Sequence, residues 1–403
     1  MFNLMALIYR HLWWLYYDLY AGAKEPAVDH TSREKAVITS GLEDGMPVLE
    51  YRQTRISMGT PMNTSAFLKR LGIGLITLAL SIPASAEILL RVASWVPPSH
   101  PQNSVVWPTW AKWVEEATEG RVKVKMEYGL GHPKTMFELV EDGVADASWS
   151  YHGYVPGRFK LTSIVEQPML GVSAEAASVA HWRIHQKYLA QGGEHEGVIL
   201  AALFTHGPGQ IQMAKPIASL SELKGKKIRI GGGVQGELGR RMGVTAVGAP
   251  ATKVYEMMNQ GVIDGVFIPF SEQQTLRLKE VAHHVTALPG GMYLGSFSMF
   301  LSPDFMDSLS EKDRQAIMAV SGEKLSAMAG RAWDIGDRDG YVQAKAAGVA
   351  INDVQPGDPM AQEFSELVKG MDEAWIRSVE SRPVDARKAL AELRQVAREY
   401  EVK

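Results

Sequence analysis

Apolar positions recur along the chain with two spacings, and segments of the two kinds alternate. Residues 88–93 carry enough apolar side chains for a short strand, which Pro97 and Pro98 break into a loop. Over 107–117, Trp110, Trp113 and Val114 share one side of a helix. Residues 122–126 alternate apolar side chains with lysine, the two-residue period of a strand with one buried face. A helix over 136–142 closed by Gly143, a strand over 145–149, a helix over 174–191 and a strand over 198–204 continue the series. Strand and helix units this short predict an α/β layered architecture with parallel strands. Past a turn at 206–209, the pattern predicts apolar 211–213, a strand over 226–230, helices over 235–242 and 254–260, and a return to a strand in 261–267. Helical spacing then runs from 311 to about 347 with few breakers; Gly330, Gly336 and Gly340 are the points where it could bend. Residues 360–400 are again helical, with a charged exterior.

The stretch 220–243 concentrates candidate chemistry. Gly231, Gly232 and Gly233 let the chain turn tightly between a strand and a helix N-terminus. Free amides and the helix dipole make such a turn an anion site. Arg229 lies two residues before it, and a guanidinium grips a carboxylate through two parallel hydrogen bonds. Gly231, Gly233 and Gly236 also match the G-x-G-x-x-G dinucleotide fingerprint. The strand ahead of them carries Lys226, Lys227 and Arg229, whereas a nucleotide-binding first strand is buried on both faces. Tyr151, His152 and Tyr154 follow the third predicted strand, where ligands of open α/β sheets gather. His206, Gln210 and the glycine-turn amides are the alternative partners for a carboxylate.

Composition narrows the class. The chain has 403 residues, 46% apolar and 22% charged, with a net charge of −3, which suits about two soluble domains and disfavours a nucleic-acid surface. It has no cysteine, so disulfides and thiolate metal sites are excluded. Lys69 and Arg70, the apolar run 71–82 and Ala84-Ser85-Ala86 read as a Sec signal peptide ending at Ala86. The expected mature chain begins at Glu87 in the periplasm. Such a leader over 58–86 implies that 1–57 is an extension from a start codon placed too far upstream.

Taken together, Thr118-Glu-Gly-Arg121, the run Leu220-x-x-Leu-Lys-Gly-Lys-Lys-Ile-Arg229, Val254-Tyr255 and Gly261-Val-Ile-Asp-Gly265 resemble the solute receptors of tripartite ATP-independent periplasmic (TRAP) transporters. The resemblance covers 87 to about 380. It implies two α/β domains of periplasmic-binding-protein type, a cleft between them and a long helix spanning both. The expected division is 87–208 with 295–335 for the first domain, and 209–294 with 336–403 for the second. It also implies an organic acid held by its carboxylate on Arg229 and delivered to membrane permease subunits, with no cofactor and no metal. Many members carry a second arginine where this chain has Gly209 or Gln210, and an asparagine where it has Ile268. With Trp95, Tyr151, Tyr154, Phe267 and Phe270 near in the motif map, these departures imply a monocarboxylate with an aromatic or apolar body.

The competing readings are an enzyme and a different transport module. No G-x-S-x-G, H-E-x-x-H or P-loop occurs, and His283-His284 would point to opposite faces of a strand. A periplasmic NAD-type oxidoreductase stays open on the glycine match alone. A ligand module of an ABC transporter or sensor would share the physics of the cleft.

Overall fold

Two β-sheets organise residues 87–402, the residues that the computed structural model describes; the expected extension and leader, 1–86, lie outside them. The first sheet has the order β2-β1-β3-β10-β4, from Ile88–Ser94 (β1), Val122–Tyr128 (β2), Ala147–Tyr151 (β3), Ile199–Thr205 (β4) and Ser296–Leu301 (β10). The second has the order β11-β9-β5-β8-β6-β7, from Gln210–Met213 (β5), Lys227–Ile230 (β6), Thr245–Gly248 (β7), Gly265–Ile268 (β8), His284–Ala287 (β9) and Ala350–Asp353 (β11). β1 runs parallel to β2 and β3, and β6 to β7 and β8, as the alternating pattern predicts. Each sheet also holds an antiparallel strand: β10 between β3 and β4, and β5 between β8 and β9. β5 directly follows a crossing of the chain between sheets, and β10 follows the crossing back. Each sheet is therefore mixed, because the chain returns without the helical crossover that parallel neighbours require.

The chain changes sheet between Thr205 and Gln210, between Ala287 and Ser296, and between Leu301 and Ala350. The last passage includes the long helix Glu323–Ala346, 24 residues or about 36 Å. It touches β4 and the helix Ala174–Ile184 on one side and the short helix Glu272–Thr275 on the other. The helical run expected from 311 is broken at Val320–Gly322, where the Gly322 N–H donates to the Ala201 carbonyl at 2.7 Å and φ is 70°. Within the long helix the glycines are contact points rather than bends. A Cβ on Gly330 would stand 2.5 Å from the Ala174 carbonyl oxygen, and one on Gly340 2.1 Å from that of Phe270.

The first lobe's core is aromatic, with Trp107, Trp110, Trp149 and Phe204 fully buried. Truncating a tryptophan at such a position costs about 3–5 kcal/mol. The last helix, Ala386–Glu401, was expected in the second domain but packs on Ala174–Ile184, burying Leu390 and Leu393 against Leu161 and Ile164 of the first lobe. Its heptad-like apolar stripe fixes which face is buried and not which lobe receives it. Among the described residues, no helix is long and apolar enough to cross a membrane.

Candidate functional site

The carboxyl ends of β1, β3, β6 and β8 converge on a small cavity between the lobes. The first lobe supplies an aromatic wall. Trp95 follows β1, stacks on Trp149 at 4.6 Å between ring centroids, and donates its indole N–H to the Trp149 carbonyl at 3.0 Å. Tyr151 ends β3, and a 3₁₀ turn, His152–Tyr154, brings Tyr154 edge-on to it at 5.2 Å. Phe297 on β10 and Trp333 on the long helix complete this wall. The second lobe supplies Arg229, Gln235, Ile268, Glu272 and, from the crossing segment, Tyr293.

Arg229 sits inside β6, only 3% exposed. Its Nε donates to the Ala249 carbonyl at 2.8 Å, and Nη2 reaches the Tyr154 hydroxyl at 3.4 Å. No carboxylate among the described residues pairs with it. A buried cation that no carboxylate contacts is expensive, on the order of several kcal/mol, which leaves this guanidinium available to an anion from outside.

The lobes touch directly around the cavity. The Tyr151 hydroxyl donates to the Gly232 carbonyl at 3.2 Å, and the Ala251 N–H donates to the Tyr154 hydroxyl at 2.9 Å. The Glu166 carboxyl accepts the Val234 N–H of the second lobe at 2.9 Å and the Ser296 N–H of the first at 3.0 Å. Burial raises the Glu166 carboxyl to about 7, although both amides and the Tyr151 hydroxyl favour its ionised form. Burial also holds His206 neutral, lowered to about 4, and pushes the Tyr151 hydroxyl well above its ordinary value.

Of the eleven residues singled out from sequence, six line this cavity: Trp95, Tyr151, Tyr154, His206, Arg229 and Ile268. The other five do not. His152 points into the first lobe, its two ring nitrogens 2.8 Å from the Ser296 hydroxyl and 2.9 Å from that of Ser298. Gln210 turns its amide oxygen to the Leu288 N–H at 2.9 Å, and Phe270 packs edge-on to Tyr341 at 5.2 Å. The glycine turn is not an open anion site: the Gly231 N–H donates to Gln235 Oε1 at 2.8 Å, and Glu166 already caps Val234. Gly232 serves contact instead, since a Cβ there would lie 2.1 Å from the Gly153 carbonyl oxygen, at φ of 111°. The same occupancy answers the dinucleotide match, because a protein carboxylate stands where a pyrophosphate would bind.

Sequence reasoning missed His100, Gln235, Glu272, Tyr293, Phe297 and Trp333, all on the cavity wall. Gln235 could have been found, as the second residue of a helix that follows the glycine turn. Phe297 lies on the unpredicted β10, and nothing in helical spacing tells which face Trp333 occupies.

The model of the bacterial extracellular solute-binding proteins, family 7, matches residues 92–376. The chain belongs to this family. The receptor is 31% identical over 328 residues to the outer membrane transporter protein TsaT of Comamonas testosteroni, covering 80% of this chain and 96% of that one. Its fold matches a TRAP periplasmic solute-binding protein of Bordetella bronchiseptica solved with bound (R)- and (S)-mandelate. There the TM-score is 0.75 and the identity 31%, over 78% of this chain and 99% of that one. A TRAP solute-binding protein of Rhodoferax ferrireducens, solved with copurified benzoate, matches with a TM-score of 0.73 at 25% identity, over 78% and 98% of the two chains. The receptor is thus a solute-binding protein of TRAP type, with the expected two-domain α/β fold and domain-spanning helix.

Proposed function

We propose that the receptor captures an organic acid with a single carboxylate and an aromatic or apolar body, in the periplasm, and passes it to the permease subunits of a TRAP transporter. The two lobes close on the ligand without covalent chemistry. The observation that carries this reading is Arg229: a buried guanidinium that no carboxylate of the described residues contacts, facing a cavity walled by Trp95, Tyr151, Tyr154 and Phe297. Ile268 stands at the cavity where a polar amide would serve a second carboxylate or hydroxyls. The mandelate and benzoate bound by the two structural relatives are acids of this kind. Export is supported by the basic, apolar and A-x-A segments of 69–86.

A thermal-shift and calorimetric panel tests the reading. Benzoate and mandelate are expected to stabilise the purified protein, by about 2.7 kcal/mol at a hundred times Kd, and succinate is not. Stabilisation by succinate with no response to any aromatic acid would overturn it. For location, the exported protein should have Glu87 as its first residue by mass spectrometry; residues 1–57 still attached would refute the export reading.

A further inference from the structure

The cavity has a second polar element that the carboxylate reading does not use. Glu272 and His100 both line it, from opposite lobes, 4% and 1% exposed. The Gln102 N–H donates to His100 Nδ1 at 3.2 Å, which places the proton of the neutral ring on Nε2. That Nε2 faces Glu272 Oε1 at 3.7 Å, too far for a hydrogen bond. Glu272 Oε2 is already held by the Thr275 hydroxyl. Glu272 and Arg229 line the same cavity, yet no ion pair joins them, so they act on different parts of whatever fills it.

From this geometry we infer that Glu272 and His100 form a hydroxyl-recognition element, so that the preferred ligand is an aromatic acid bearing a hydroxyl group on the part remote from its carboxylate. The inference rests on the proposed function, since it takes the carboxylate to lie on Arg229. A hydroxyl both donates and accepts through a single oxygen. Set between the two side chains, its oxygen accepts from His100 Nε2–H and its proton goes to Glu272 Oε1. It thereby closes a contact that the protein alone leaves too long. A second carboxylate at the same place has no proton to give and meets the Glu272 charge in a desolvated cavity. The element therefore selects for a hydroxyl and against a dicarboxylate of the same shape, and a methyl or hydrogen there leaves Glu272 Oε1 unmatched.

Calorimetry on the purified protein with benzoate, 3-hydroxybenzoate, 4-hydroxybenzoate, isophthalate and terephthalate tests it. At least one hydroxy acid is expected to bind about tenfold or more tightly than benzoate, and neither dicarboxylate to bind. In Glu272→Ala the ratio of hydroxy acid to benzoate affinity should collapse towards one; in Glu272→Gln a dicarboxylate should gain. Equal affinities for benzoate and both hydroxy acids in the wild type would overturn the inference and leave the proposed function standing. So would a hydroxyl preference that survives in Glu272→Ala. Failure of every aromatic acid to bind the wild type would instead overturn the proposed function, and this inference with it. The wild-type series decides even where a variant does not fold.

Discussion

Two regions bury basic side chains, one inside the first lobe and one at the cleft, and they solve burial in opposite ways. Inside the first lobe, His152 and His181 bond the hydroxyls of Ser296 and Ser298, His195 meets His152, and His185 packs edge-on to His195. Desolvation lowers all four; His181 falls to about 3 and His185 to about 4. They are tolerated by giving up their charge, even with three ring nitrogens left unpartnered. Among the described residues, no group of three such ligands is placed to hold a metal ion. At the cleft, Arg229 is equally buried but has no neutral form to retreat to. A basic group that can neutralise itself belongs to the core, and one that cannot requires an anion brought to it. The difference separates a histidine-rich interior from a binding site that sequence alone presented in the same terms.

The largest expected effect is at the cleft. Arg229→Ala should weaken ligand binding by about 2–5 kcal/mol, or roughly 30- to several-thousand-fold, with Arg229→Lys recovering only part. An affinity within threefold of wild type would place the carboxylate elsewhere. The histidine cluster should show itself in stability. Its folded values lie below the unfolded value, so the folded state binds fewer protons, and stability present above pH 6.5 is lost as pH falls towards 4. The slope is up to about 1.4 kcal/mol per pH unit for each histidine. Urea titrations from pH 7 to 4.5 would show this limb, and His185→Phe should flatten it; a midpoint that does not move with pH refutes the neutral cluster.

A smaller effect is expected at Glu166, whose carboxyl is raised to about 7 by burial between the touching lobes. If opening returns it to water, closure takes up a proton, and affinity falls by several-fold as pH rises from about 5.5 to 7.5. His206, lowered to about 4, pulls the other way on opening, so the comparison that counts is wild type against Glu166→Gln. An unchanged slope in that variant would remove Glu166 from closure. Smallest of all is Arg240→Ala, because Arg240 is exposed and, among the described residues, bound only to Glu237; its affinity should stay within about twofold. Arg241 is no such control, since it also donates to the carbonyls of Leu367 and Lys369.

What the sequence disclosed followed from local causes. The period of 122–126, the proline stop at 97–98 and the glycine turn at 231–233 each predicted an element where one formed. β7 and β11 escaped because they are exposed strands at the two edges of their sheet, with no buried face to set a period. β9 and β10 escaped as well. At the site, Arg229, Trp95 and Tyr154 were legible because strand ends and turns place them. Glu272 and His100 were not, because they meet only when two lobes 172 positions apart in sequence close on each other. The glycine turn misled for a related reason: the carboxylate that caps it at the Val234 N–H, Glu166, arrives from the other lobe.

Gly232 has a consequence for how such a receptor can change over time. The two backbones meet there with no room for a methyl group, so any side chain acts as a wedge that props the jaws apart. Wall residues that take no part in the contact between the lobes can be retuned one by one to a new solute, each change felt by that solute alone. A change at 232 would be felt by every solute equally, because it acts on the clamp and not on the cargo. Diversification of ligand taste is thus free to proceed around a fixed glycine, which marks the line between what the receptor recognises and how it shuts.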